Sequence, residues 1–301
     1  MEQKRNDSID FVKGVLIIFV ILGHVVLGTI SGNLIRGVIY SFHMPLFLFV
    51  SGYMINLDRL MSQSFNDLFS KYWDRMLKAW LVAYVIFTAY HVLSEPSLRQ
   101  VIGLLYSPWG HLWYVPTLFC YVLMSKFLFG KFNVKVSYLV LILLNVAWNV
   151  LIQVSSIHLS HWCDCSKLLY FALGLFMKNH FVSSRFLRSY TAVPLFYVPL
   201  FLALQHLPFK IRGVVLVLLL FGVIFLYLYP AIVKDMMPKS KVFTFIGKNS
   251  LYIYLWHQAP ILLLVDFVST KNLTYYYVIS FALLVLFLLV VKWRVHCLIV
   301  K

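Results

Sequence analysis

Asp10, Lys13 and His24 are the residues from which chemistry can first be argued. Lys13 and His24 flank the apolar run Val15 to Leu22 and stand eleven positions apart. In a helix that is just over three turns, so both side chains lie near one face, about 16 Å apart along the axis. Asp10, one turn before Lys13, joins the same face near the water boundary. An imidazole takes a proton from a hydroxyl near neutral pH, and an ammonium holds an anion. With the run read as the first of several spans, at about residues 14–30, His24 falls roughly halfway through the bilayer. An ionisable group at that depth is a functional candidate by default. The plainer account is a hydrogen bond to a neighbouring helix.

Other polar residues fall inside apolar stretches. His43 precedes Pro45 in a second stretch that continues to Ser51 and Gly52. Pro45 removes a backbone donor, so an interrupted helix lining a cavity is expected there. Arg75 and Lys78 open a third stretch at a spacing of three and could clamp anionic phosphates, or simply anchor the span at the interface. His111 and Trp113 open a fourth; aromatics there form an interfacial belt or line an outer cavity. Asn145, Asn149 and Gln153 make a polar stripe along a fifth, facing the bundle interior to bond a helix or a hydroxyl-rich acceptor. His257 lies deep in a late stretch, at a depth like that of His24, with Asn249 or Ser250 placed to cap its start.

The elements that must position these groups are membrane helices. The chain has 301 residues, 62% of them apolar and only 12% charged, half the charge of an average soluble protein. Ten apolar segments are expected at about 14–30, 38–56, 73–93, 112–130, 136–154, 166–182, 190–206, 213–233, 247–267 and 275–293. With the N-terminus inside and sides alternating, twenty of the 26 Lys and Arg residues fall on the inner side. That bias favours ten spans with both termini cytoplasmic. The net charge of +16 therefore reports orientation and not nucleic acid. The expected fold is all-α: a polytopic helical bundle, residues 1–301 forming a single integral-membrane domain with no soluble domain. Lys4 and Arg5 before an apolar run look like a signal peptide, but Asp7 and Asp10 intervene, so a retained first span is expected. Cys120, Cys163, Cys165 and Cys297 form no zinc pattern or disulfide framework, and no metal site is expected.

Taken together and in order, four motifs resemble those of acyltransferase family 3, bacterial integral-membrane O-acyltransferases that modify surface polysaccharides. Lys13 and His24 match the family's basic residue, ten-residue gap and histidine. Arg75-Met76-Leu77-Lys78 is similar to its paired basic motif. Phe42 to Tyr53 resembles its second span, and Leu251 to His257 a late span ending in histidine. Lys stands where many members carry Arg at position 13 and at one position of the paired motif, which loses the fork-like geometry of a guanidinium.

The resemblance implies a multi-pass protein of the bacterial cytoplasmic (inner) membrane with no permanently bound cofactor. It implies acyl-CoA, usually acetyl-CoA, as the donor and a hydroxyl of a cell-surface or lipid-linked glycan as the acceptor. His24 would be the catalytic base, or carry the acyl group transiently, with Asp10 and Lys13 in the catalytic set. Lys13, Arg75 and Lys78 would hold the donor. His43, Ser51, Trp113, Asn145, Asn149 and His257 would border the acceptor. Two other readings stay open: a transporter or flippase for a small metabolite or lipid-linked sugar, against which no inverted repeat is visible, and a sensory or uptake module.

Overall fold

The computed structural model describes residues 6–29, 33–94, 97, 102–103, 107–108, 110–155, 161–179, 237–267 and 273–299. All regular structure among them is helical. Numbered along the described chain, the helices are α1 Asp7–Val25, α2 Leu34–Tyr53, α3 Leu57–Ser62, α4 Phe65–Tyr72, α5 Lys78–Ser94, α6 Tyr114–Lys131, α7 Val134–Ser155, α8 Leu168–Asn179, α9 Lys241–Lys248, α10 Ser250–Trp256, α11 Gln258–Phe267 and α12 Leu273–Ile299. Among the described residues, six helical stretches are long and apolar enough to cross a membrane: 7–25, 35–53, 65–94, 110–131, 134–152 and 274–293. The protein is a multi-pass, all-helical membrane protein. The expected spans at 190–206 and 213–233 lie outside the described residues.

Several expected boundaries move, each for a local reason. The first helix begins at Asp7, because the Asn6 side chain accepts from the Ile9 amide and caps it. Lys13 is therefore in the second turn and His24 in the last, at the far end of the helix and not midway along it. The second helix runs unbroken through Pro45. The third span begins at Phe65: the capping pair Ser64 and Asp67 starts α4, and a π-helical stretch, Trp73–Leu77, joins it to α5. The segment at 247–267 is divided among α9, α10 and α11. At the first break the Asn249 amide bonds back to the Phe245 carbonyl at 2.9 Å. It thus closes the end of α9 and does not cap the start of α10. His257 stands at the second break.

The chain divides into two compact units, residues 1–47 with 182–301, and residues 48–181. In the first, α1 crosses α9 so closely that a Cβ on Gly14 would strike the Phe243 carbonyl, and one on Gly247 the Asp10 carbonyl. Phe11 packs edge-on against Phe243, with ring centroids 5.2 Å apart. The Ser8 hydroxyl accepts from the Met237 amide. In the second unit, the end of α2 crosses α8 in the same way: a Cβ on Gly52 would strike the Phe171 carbonyl, and one on Gly174 the Phe49 carbonyl. Large apolar side chains exposed on α5, α7 and α12, such as Val85, Leu143 and Phe281, are what helices facing lipid require.

Candidate active site

In the first unit, α1 carries Asp10, Lys13 and His24 along its length. Asp10 is only 3% exposed and accepts from the Lys13 ammonium at 3.4 Å. Its backbone lies against Gly247, so the tight crossing fixes where this ion pair sits. Lys13 keeps part of its side chain accessible.

At the other end of α1, three histidines gather. The half-buried His24 ring lies 5.2 Å from that of His257, centroid to centroid. Tyr40 sits between His24 and His43, with ring centroids 6.0 Å from the first and 5.1 Å from the second. Its hydroxyl is 3.5 Å from His24 Nδ1. His43 and His257 are buried. Each places Nδ1 2.6 Å from a backbone carbonyl, Ile39 for His43 and Tyr254 for His257. A carbonyl only accepts, so each Nδ1 carries the proton and the lone pair is on Nε2. His257 also borders a small, largely apolar cavity with Ile21, Val25, Pro260 and Ser280. Three imidazoles with an adjacent phenol can accept and hand on a proton.

Sequence reasoning missed Tyr40 and Arg36. The Arg36 guanidinium lies 5.4 Å over the Tyr40 ring. The signal was available: Arg36, Tyr40 and His43 follow at spacings of four and three, on one face of α2.

The other proposed site residues lie in the second unit. Arg75 is in the π-helical stretch and Lys78 is the first residue of α5; both are exposed. π-Helical turns occur often at functional sites. Lys71 joins this basic region: it interacts electrostatically with Arg59 and Arg75, and its ammonium donates to Gln63 at 3.3 Å. The Ser51 hydroxyl is 2.7 Å from that of Tyr114.

Asn145 and Asn149 serve a strap formed by residues 161–167. Asn145 Nδ2 donates to the carbonyls of Cys165 and Ser166 at 2.8 and 2.9 Å, and Asn149 Nδ2 to Ser166 at 3.2 Å. The side chain of Gln153 lies outside the described set. Tyr121 donates to the Asp164 carbonyl, and the Asp164 amide donates to Thr117 at 3.3 Å. Lys167 pairs with Asp164 at 2.9 Å and lies 4.8 Å over the Trp113 ring. Burial alone would raise the Asp164 carboxyl, but the Lys167 charge and hydrogen bonds from Ser166 and Lys167 outweigh it and hold the group below its ordinary value. Cys120, Cys163 and Cys165 are free thiols. Among the described residues no group of three or more His, Cys, Asp or Glu side chains is placed to hold a metal.

A multi-pass membrane protein, helical throughout its described residues, with a histidine cluster at one end of its first helix and a part-buried ion pair near the other is the class defined so far. Residues 6–293 match the family described as the acyltransferase domain, Acyl_transf_3. The chain belongs to that family. Over 57 residues it is 46% identical to nodulation protein NolL of Sinorhizobium fredii (strain NBRC 101917 / NGR234). That stretch is 17% of this chain and 16% of the relative, so the match spans only about a sixth of NolL. No solved structure matches the chain.

Proposed function

We propose that the protein moves an acyl group, acetyl by expectation, from acyl-CoA at the cytoplasmic face to a hydroxyl of a cell-surface or lipid-linked glycan. The observation that carries this reading is the cluster at the end of α1, where His24 lies beside His257 and Tyr40. His24 accepts the proton of the acceptor hydroxyl as its oxygen attacks the thioester carbonyl carbon. The carbon–sulfur bond breaks, and the imidazolium returns the proton to the CoA thiolate. The products are the glycan ester and CoA thiol, with no resident cofactor required.

In the first unit Lys13, paired with Asp10, is a cation suited to the donor phosphates; in the second, taken by itself, the exposed pair Arg75 and Lys78 is suited to the same role. His43 and His257 are the acceptor-bordering residues of the first unit; Ser51, Trp113, Asn145 and Asn149 are the candidates for that role in the second. The excess of basic residues on one side of the ten-segment pattern supports cytoplasmic termini, and the family supports a location in the bacterial inner membrane. The test is mass spectrometry of surface glycan from cells making wild-type or His24→Ala protein, with membrane insertion verified. The expected result is loss of the acyl mass increment. Normal acylation by the inserted variant would remove His24 from the reaction.

A further inference from the structure

The backbone that follows His24 is held by side chains at every step. Tyr276 donates to the Val25 carbonyl at 3.2 Å. Arg36 donates to the carbonyls of Val26, at 3.4 Å, and Gly28. Asn33 donates to that of Leu27 at 3.0 Å. A helix end leaves carbonyls without intrahelical partners. Here four residues in succession are supplied with donors, and the turn that presents His24 is anchored by them.

Onto this anchored turn Tyr40 projects from α2, its hydroxyl at His24 Nδ1 and its ring beneath the Arg36 guanidinium. A neutral imidazole has one donor and one acceptor nitrogen, and the partner of one sets the role of the other. For His43 and His257 the partner is a carbonyl, which permits one form only. A phenol can accept or donate, so Tyr40 is compatible with either form of His24. Only one of them suits a base acting through Nε2: Nδ1–H donating to the Tyr40 oxygen. When Nε2 then takes a proton, the imidazolium keeps that bond, whereas a donating phenol would have to turn away. Hydrogen bonds of this kind are often long without substrate and tighten in the reacting complex.

We propose that Tyr40 is the positioning residue of His24: it holds the imidazole in the Nδ1–H form with Nε2 as the basic nitrogen, while Arg36 fixes both Tyr40 and the end of α1. This rests on the reading of His24 as the base, and the experiment separates the two. Full-length protein with ¹⁵N-labelled histidine is reconstituted in lipid nanodiscs. The His24 resonances are identified by their loss in His24→Gln, and the paired nitrogen shifts distinguish Nδ1–H from Nε2–H. The wild type is expected to show Nδ1–H, and Tyr40→Phe a mixture of both. In membranes supplied with radiolabelled acetyl-CoA, Tyr40→Phe is expected to lower kcat about tenfold or more, the worth of one hydrogen bond to a charged group, with KM for acetyl-CoA unchanged. An Nε2–H form in the wild type, or an unaltered tautomer in Tyr40→Phe, overturns the proposal. So does full activity of Tyr40→Phe beside an inactive His24→Gln. Activity retained by His24→Gln defeats the reading of His24 as base, and the nitrogen shifts then decide the role of Tyr40 alone.

Discussion

In one unit Gly14 meets α9 and Gly247 meets α1; in the other Gly52 meets α8 and Gly174 meets α2. Both crossings use the missing Cβ to bring backbone against backbone, yet they place different groups around the contact. The crossing of α1 and α9 sets the buried Asp10 against Gly247, and through it the Lys13 ammonium. Around the crossing of α2 and α8 the chain places hydrogen bonds that close its own ends. Asn179 donates to the Leu175 carbonyl at 2.6 Å and to the Ile55 carbonyl at 3.4 Å, and accepts from the Leu57 amide at 3.2 Å. A close glycine crossing therefore marks rigidity, and the charges beside it decide whether that rigidity serves chemistry.

The sharpest way to break this comparison is to ask which unit holds the reaction. His24→Ala is expected to lower acyl transfer at least about 100-fold, the scale of a lost general base, while Asn179→Ala affects stability alone. Acyl incorporation per inserted molecule measures both. Next come the crossings themselves. Gly247→Val and Gly174→Val each force a side chain onto backbone and are expected to cost about 1–3 kcal/mol, read as lowered Tm in detergent. They should differ in activity per folded molecule: Gly247→Val loses it because Asp10 and Lys13 shift, and Gly174→Val retains it. Equal losses would end the distinction.

How much of this was legible beforehand depends on the range of the interaction. The spans at α1, α2, α6, α7 and α12 were visible, because lipid demands an apolar run and the run is local in sequence. The Asp10–Lys13 pair was visible for the same reason, being one turn apart. The meeting of His24 with His257 was not, since nothing local couples positions so far apart in the chain. Helix ends were misplaced wherever a side chain set them: Asn6 begins α1 well before the apolar run, and Asn249 divides what hydropathy shows as one segment. Asn145 and Asn149 were legible only as a stripe bonding either a helix or an acceptor, because a polar stripe signals only that something polar faces it. What faces Asn145 and Asn149 in the structure is the Cys165 and Ser166 carbonyls.

The smaller effects sharpen the same contrast. Lys13→Gln is expected to raise KM for acyl-CoA about three- to tenfold, and Lys13→Arg to leave it near wild type, since an ionic contact with phosphate survives that exchange. An unchanged KM in Lys13→Gln would reduce Lys13 to an anchor. Asn145→Ala removes two hydrogen bonds from the strap, whose Cys165 and Ser166 carbonyls keep the Leu168 amide and Asn149 as donors, and is expected to cost about 1 kcal/mol of stability. Lost stability with an unchanged acceptor KM assigns Asn145 to the strap; a raised acceptor KM at unchanged stability returns it to the acceptor site.

The least effect is expected from acid acting on Asp164. Its folded carboxyl lies below its ordinary value because the Lys167 charge and the Ser166 and Lys167 hydrogen bonds outweigh burial. The ionised form is thus favoured by folding. Its contribution is complete above the ordinary carboxylate value, about 3.9, and is lost as pH falls through the lower folded value. Hydrogen exchange at residues 161–167, corrected for the intrinsic effect of pH, is expected to quicken only below about pH 4. In Lys167→Met the same change should begin at higher pH, because the remaining burial pushes the carboxyl upward. An onset shared by wild type and variant would show that the ion pair does not hold the strap, and would leave Asn145, Asn149, Tyr121 and Thr117 as its fastening.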